Sequence, residues 1–165
     1  MLIARLVKTS MVASLALFCL LVAYDNVVDY GANYEFVRHT LSMDTTFRDA
    51  ALMGRAVTSP AAAAWAYGLI ILVEAAMGIV LAIAAARLAL NLRTASARFN
   101  AAKAWVVLGV GLGFLLWFTG FIVVAGEWFV MWQSKAWNGQ SSVFMFYMTM
   151  LAVLIFVNQP DGELE

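Results

Sequence analysis

The sequence predicts an all-α protein, an integral membrane bundle of four helices with short amphipathic helices in its first outer loop. Of its 165 residues, 64% are hydrophobic and only 12% are charged, whereas a soluble domain carries about 25% charged residues. Four apolar stretches approach or exceed the roughly 20 helical residues that a bilayer core requires. We therefore expect a single membrane domain over residues 1–165.

Polar segments separate the four predicted spans. We expect the spans at about residues 9–30, 61–90, 104–131 and 143–157. Between and after them the sequence predicts an outer loop at 31–60, an inner loop at 91–103, an outer loop at 132–142 and an inner tail at 158–165. The fourth span is short and aromatic, at the lower limit for crossing a bilayer. The tail is polar and contains Pro160, so we expect it to fray.

The first span also resembles a signal peptide, because Arg5 and Lys8 precede an apolar core. Cleavage requires small residues in an Ala-x-Ala-like arrangement after that core. The segment 22–25, Val-Ala-Tyr-Asp, fits this arrangement poorly, so we expect an uncleaved helix. Cys19, the single cysteine, is expected to be a small buried hydrophobic residue.

Lysine and arginine near the span ends predict the orientation, because loops rich in these residues stay in the cytoplasm. The inner loop and its flank carry four basic residues and no acid, whereas acids accompany the basic residues of loop 31–60. The four are Arg87, Arg93, Arg98 and Lys103. We therefore expect this loop and both termini on the cytoplasmic side.

Glycines on the second and third spans predict close helix packing, because membrane helices associate where their backbones can approach. Gly109 and Gly113 form a GxxxG spacing, and Gly120 lies two turns further on. Gly78 belongs to a small-residue face of the second span. These faces suit a crossing within the bundle or a crossing with another subunit, and the sequence leaves both open.

The long outer loop has the pattern of short amphipathic helices. Phe36, Val37 and Leu41 recur at roughly helical spacing. Asp44, with the two threonines after it, offers an N-cap for a second short helix. Such helices would lie at the membrane surface. An interfacial belt of aromatic side chains is expected at the same level, formed by Trp128, Trp132 and Trp137.

Glu74 is the most informative single residue, because it lies roughly 20 Å along the second span from Pro60, within the hydrocarbon. An isolated charge is expensive there, so its carboxyl should be protonated or paired. With Glu127, Asp25 and Asp29 it could form a line of carboxyl groups that carries protons or cations. Alternatively, each acid is neutral or bonded to a hydroxyl, an indole or an arginine. No basic residue lies in the central parts of the spans, so any ionic partner of Glu74 would belong to another protein.

His39 is the single histidine, and this excludes several cofactor sites. Haem held by two histidines and histidine-rich copper or zinc centres cannot be built within one chain. Beside Arg38, His39 is expected to form hydrogen bonds at the interface. The nine methionines are compatible with copper(I), but they also suit packing in an apolar chain. We predict no metal, no cofactor and, at zero net charge, no nucleic-acid partner.

Two segments are the most distinctive. The Arg38 segment, residues 36–47, contains Val-Arg-His-x-Leu-Ser-Met-Asp-Thr, and the Trp137 segment, residues 126–140, contains Glu-Trp-Phe-x-Met-Trp-Gln-Ser-x-x-Trp-Asn-Gly-Gln. On these segments, and over nearly its whole length, the chain resembles a bacterial family of small integral membrane proteins catalogued as domain of unknown function 2165. The resemblance implies four spans in a bacterial inner membrane, and it implies no activity. We expect the two segments to meet on the outer side.

Three functions are compatible with this sequence. Tryptophans with polar neighbours such as Asn138 and Gln140 suit the binding of a partner or an amphiphilic ligand, or simple anchoring. The leading hypothesis is an accessory or assembly subunit of a larger complex, such as a respiratory one, with other membrane subunits as partners within the lipid bilayer. The alternative is a small transporter or ion-conducting protein that uses Glu74, and the third is an intramembrane lipid- or quinone-binding protein. No catalytic residue is predicted, and a non-catalytic role is favoured.

Overall fold

Seven α-helices, one π-helical segment and one 3-10 turn form the fold in the computed structural model, which describes residues 2–48 and 50–164. The helices are α1 (Leu2–Val28), α2 (Tyr30–Ser42), α3 (Ala50–Met53), α4 (Pro60–Leu90), α5 (Ser96–Ala102), α6 (Ala104–Phe114) and α7 (Gln140–Asn158). The π-helical segment, Leu115–Trp128, continues α6 directly, and the 3-10 turn spans Met131–Gln133. No strand occurs within these described ranges.

Four helical stretches are long and apolar enough to cross a membrane: Leu2–Val28, Pro60–Leu90, Ser96–Trp128 and Gln140–Asn158. This confirms the predicted all-α membrane bundle, with α2 and α3 as the short helices between the first two spans. The first and third stretches begin earlier than expected, at Leu2 and Ser96. Their extra turns carry polar side chains that are bonded within the protein, and hydropathy alone does not detect such turns.

At one end of the bundle, Arg5 joins the N-terminus, the loop between the second and third spans, and the C-terminal tail. Arg5 near the N-terminus donates hydrogen bonds to the carbonyls of Leu92 and Thr94 and to that of Gly162 in the C-terminal tail. We call this end, which holds residues 2–8, 91–103 and 159–164, the inner end. The opposite end holds α2, α3 and residues 129–139, and we call it the outer end.

Glycines allow the close helix contacts of the core. A Cβ on Gly78 would lie 2.8 Å from side-chain atoms of Leu20, and one on Gly109 would lie 2.6 Å from Leu81 Cδ2. A Cβ on Gly113 would lie 2.7 Å from the sulfurs of Met77 and Met150. These three glycines therefore serve crossings within the bundle, the first of the two alternatives.

Gly120 does not belong with the other three. A Cβ there would meet only Leu116 and Leu115 of its own helical segment, at 3.9 and 4.0 Å. Gly120 lines an apolar groove beside the π-helical segment. The expectation that it serves helix packing is therefore wrong, because no neighbouring helix approaches it.

The second short helix starts later than its expected cap. α3 begins at Ala50, so Asp44 does not cap it. The Asp44 carboxylate instead accepts a hydrogen bond from His39, and the Thr46 hydroxyl donates to the carbonyl of Met43. These bonds use the polar groups that would otherwise cap a helix, and they fold residues 43–46 into a turn.

The C-terminal tail is bound to the bundle, which corrects the expectation of a frayed end. Asp161 is buried and pairs with Lys8 and Lys103. Burial raises the pKa of the Asp161 carboxyl, but the hydrogen bonds and charges of Lys103 and Lys8 outweigh burial and hold the pKa below its usual value. The tail looked free because its partners lie more than 50 residues away in the sequence.

We predict that Gly109→Ala lowers the free energy of unfolding by about 1–3 kcal/mol, the usual cost of forcing a methyl group into a packed contact. The new methyl would overlap Leu81 Cγ and Cδ2 on α4. The measurement is reversible unfolding in micelles.

Gly111→Ala is the matched control, two residues away on the same helix with nothing within 4 Å of the added Cβ. It should be neutral or slightly stabilising, since alanine is favoured over glycine in helices by about 1 kcal/mol. Equal losses for both variants would contradict the packing role of Gly109.

Candidate functional site

Glu74 lies at the middle of α4, buried between helices. At 1.5 Å per residue it is about 21 Å from Pro60 and about 24 Å from Leu90. Its side chain faces α1, and the residue is 3% exposed. A carboxyl group at this depth must find its partners within the protein, because the hydrocarbon offers none.

Asn26 on α1 is the partner of Glu74. The Asn26 side-chain amide donates to Glu74 Oε2 at 2.7 Å. Asn33 on α2 donates to Asn26 Oδ1 at 2.6 Å. The Tyr67 hydroxyl donates to the Asn26 carbonyl at 3.0 Å, which satisfies one of the last carbonyls of α1. These four residues form one polar cluster, which we call the Asn26 cluster.

The acids of the predicted line differ in their surroundings. Within residues 2–48 and 50–164, Glu74 makes no ion pair, and its partner is a neutral amide. Glu127 is exposed, and its side chain makes no hydrogen bond within the described residues. Asp25 is exposed and lines the same cavity as Glu74. Of the four acids of that line, Asp25 and Glu74 line one cavity, and Asp29 and Glu127 line neither the polar cavity nor the apolar groove.

Asn26 was missed in the sequence, although one signal pointed to it. It is an amide near the end of an otherwise apolar span, and it lies two residues before the last residue of α1. An amide in that position needs a partner for the same reason as Glu74. Pairing these two buried polar residues would have predicted the contact between α1 and α4.

Two cavities flank a shared wall. The polar cavity, of about 380 Å³, is lined by Glu74, Asn26 and Asp25 together with residues of α2, α7 and the π-helical segment. The apolar groove, of about 480 Å³, lies between α2, α4 and the π-helical segment. Four side chains line both: Phe36, Val37, Ile70 and Phe121.

Two threonines, Thr40 and Thr119, line the otherwise apolar groove. Thr40 is 7% exposed, and its Oγ1 has no hydrogen-bond partner in the described part of the chain. Thr119 also lines the groove, from the π-helical segment. Small residues widen the space between α4 and this segment, among them Ala66, Gly120 and Ala125.

The Arg38 segment and the Trp137 segment meet at the outer end, as expected. The hydroxyls of Thr45 and Ser134 are 2.8 Å apart, and the Phe47 backbone amide donates to Gln133 Oε1 at 2.8 Å. The His39 ring stacks on Trp137 with centroids 4.6 Å apart and an interplanar angle of 12°. Residues separated by about 90 positions therefore form one surface.

This geometry agrees with the comparison with known families. The model of a family described as predicted small integral membrane proteins, domain of unknown function 2165, matches residues 4–160. The chain belongs to this family. No curated protein and no solved structure matches this chain. Membership in the family, together with the four spans, makes the chain a small integral membrane protein.

In this family member, His39 is held by partners on both ring nitrogens. Nδ1 lies 2.8 Å from Asp44 Oδ2, and Nε2 lies 2.8 Å from Arg38 Nη2. Since Arg38 can only donate, Nε2 is the acceptor, and the ring carries its proton on Nδ1. A hydrogen bond from Arg38 to Glu35 raises the pKa of the guanidinium. His39 thus has the hydrogen-bonding role that its position suggested.

The remaining aromatic and amide residues of the Trp137 segment divide into two groups. Trp128 and Trp132 are exposed, and Arg55 lies 4.6 Å over the Trp128 ring. Asn138 and Gln140 contact each other at the start of α7, where the Asn138 side chain accepts a hydrogen bond from the Gln140 backbone amide. The Gln140 side chain also packs against Gly126, where a Cβ would lie 2.7 Å from Nε2.

We predict that Asn26→Ala lowers the free energy of unfolding by about 1–3 kcal/mol, because it leaves the Glu74 carboxyl buried without a partner. Asn33→Ala, which removes only the outer bond of the Asn26 cluster, should cost less. The measurement is reversible unfolding of both variants in the same micelles. Equal losses of unfolding free energy would mean that the bond to Glu74 stabilises the fold no more than the bond between Asn33 and Asn26 does.

Proposed function

We propose that this protein binds a molecule of the bilayer that has a long apolar body and a carbonyl group, in the apolar groove. The single observation that carries this proposal is Thr40, which lines the groove and whose buried hydroxyl has no hydrogen-bond partner among the described residues. A buried hydroxyl without a partner costs about 1–3 kcal/mol. A ligand carbonyl would accept its proton and remove that cost.

The shape of the groove supports the same proposal. Its volume of about 480 Å³ falls in the range of roughly 300–1,000 Å³ that is typical of small-molecule sites. One wall is the π-helical segment, a rare conformation that is frequent at functional sites. Both an isoprenoid quinone and the ester region of a phospholipid offer a carbonyl on an apolar body.

We expect Gly120→Leu to weaken ligand capture by roughly tenfold or more, the equivalent of losing about 1.4 kcal/mol of binding energy. The leucine would occupy the groove, where its Cβ meets nothing closer than 3.9 Å. The probes are an azido-benzoquinone with an isoprenoid tail and a diazirine phosphatidylethanolamine, each crosslinked by light in nanodiscs. Mass spectrometry of the labelled peptides measures capture.

Gly111→Leu is the matched control, since Gly111 also has open space but does not line the groove. Thr40→Val keeps the shape of the side chain and should weaken capture about fivefold, the equivalent of one hydrogen bond. The probe that responds to both Gly120→Leu and Thr40→Val identifies the ligand class. Equal labelling in all four proteins would refute the proposal.

A second candidate function is ion-linked transport at Glu74. One of its carboxyl oxygens has a hydrogen-bond partner within the described residues, and Glu74 and the exposed Asp25 line the same polar cavity. We predict that Glu74→Gln abolishes proton or cation flux in liposomes while the fold persists, because glutamine keeps the shape of the side chain but cannot exchange a proton. Unaltered flux in the variant, or no flux in either protein, would eliminate this candidate.

The role of accessory or assembly subunit remains a prediction. Its support is the exposed aromatic edge of the outer end, where Phe47 and Trp132 pack edge to face. Recovery in fixed stoichiometry with larger subunits after mild extraction would favour it. We also place the protein in a bacterial inner membrane with the inner end in the cytoplasm, and the basic residues of loop 91–103 support this orientation.

A further inference from the structure

Three basic side chains are buried together at the inner end. Arg5 and Lys8 extend from the first turns of α1, and Lys103 lies at the junction of α5 and α6. All three are almost fully shielded from solvent. Arg5 and Lys103 both lie near the Phe99 ring, at 4.8 and 5.5 Å from its centroid. We call these three residues the cation cluster.

The C-terminal tail fills the space between the three cations. The ammonium groups of Lys8 and Lys103 both donate to Asp161 Oδ2, and both also donate to the Gln159 carbonyl at 2.8 and 2.7 Å. The Asn100 side chain also binds the tail, because it donates to the Asp161 backbone carbonyl and accepts from the Asp161 backbone amide. One carboxylate oxygen thus serves two ammonium groups.

The charges of this cluster are not balanced. Asp161 is one buried carboxylate among three buried cations, and the hydrogen bonds of Arg5 go to backbone carbonyls. Arg5 Nε is buried and has no hydrogen-bond partner in the part of the chain that is described. The next acid of the tail, Glu163, is exposed and hydrogen-bonded to Ser96, and its charge interacts with Arg5 without a direct contact. Buried charges without full compensation are costly, so the site can accept more negative charge than Asp161 alone supplies.

Without these polar bonds, the tail would be only weakly attached. Val157 is the last fully buried apolar residue among those described, and residues 159–164 have no helical structure. The attachment of the tail therefore depends on Asp161, on backbone carbonyls of residues 159–162 and on the exposed bonds between Glu163 and Ser96. Another anion with several acceptor oxygens could replace these contacts at once.

We propose that the cation cluster is a binding site for the phosphate group of an anionic phospholipid, and that Asp161 occupies it as an internal substitute. The cluster lies where the spanning helices begin and end, the depth at which head groups lie. Basic pockets between helices at this level bind anionic head groups. A phosphate offers more acceptor oxygens than one carboxylate, and it could reach the unpartnered Arg5 Nε. This inference does not depend on the apolar groove.

Digestion of the wild-type protein by a carboxypeptidase tests the exchange of tail for lipid. In phosphatidylcholine nanodiscs the bound tail should resist removal of Asp161, and in phosphatidylglycerol nanodiscs removal should be roughly tenfold faster, as expected for a contact weakened by about 1.4 kcal/mol. A free peptide of the tail sequence corrects for the effect of the lipid on the enzyme. Equal corrected rates would overturn the proposal, and so would release by inorganic phosphate in phosphatidylcholine nanodiscs, which would assign the site to a free anion.

Lipid retention gives a second, independent readout. Asp161→Asn should retain roughly tenfold more phosphatidylglycerol than the wild type in native mass spectrometry, because the site loses its internal anion. Glu127→Gln removes an exposed acidic charge away from both the tail and the cation cluster, and it should behave as the wild type. Equal retention by all three proteins, or equal retention of phosphatidylcholine by Asp161→Asn, would contradict the proposal. If Asp161→Asn does not fold, the digestion of the wild-type protein decides.

Discussion

The hydrogen bond between Asn26 and Glu74 determines much of the arrangement at the outer end. It joins α1 to α4 through two buried polar side chains. Tyr67 then satisfies the Asn26 carbonyl near the end of α1, and the chain turns at Asp29 into α2. α2 carries the Arg38 segment to the Trp137 segment. All four residues of the Asn26 cluster line the polar cavity, and α2 supplies part of the wall that this cavity shares with the groove.

Hydropathy and residue spacing predicted the features that arise locally. The spans follow from apolar runs of sufficient length, and the roles of Gly78, Gly109 and Gly113 follow from their spacing on helices. Features that depend on distant partners were not predictable in the same way. The tail looked free because Lys8 is 153 positions from Asp161. Asp44 looked like a helix cap, but a histidine five positions earlier binds its carboxylate.

The two ends of the bundle stabilise their loops by different means. At the inner end, buried basic side chains have backbone carbonyls and one buried acid, Asp161, as partners, so positive charge is in excess there. The outer end uses stacked rings, neutral hydrogen bonds such as that between Thr45 and Ser134, and paired charges such as Arg38 with Glu35. An added anion would therefore stabilise the cation cluster, whereas the residues that line the groove carry no charge. This difference is why the ligand expected at the inner end is anionic, and the ligand expected in the groove is neutral and apolar.

The π-helical segment links the groove to the outer end. Its last turn closes with a bond from the Phe129 amide to the Val124 carbonyl, and the next residue, Val130, has φ of 46°. A β-branched residue in this left-handed region is strained. Met43, at φ 53°, is the other non-glycine residue with a positive φ among those described. It packs with Val130 and Phe129 in one buried cluster. Strained backbone persists where the surrounding contacts determine it. Here the Arg38 segment and the Trp137 segment supply those contacts. Because Phe129 and Val124 also line the groove, a ligand that alters the π-helical segment would act directly on the surface where the two segments meet.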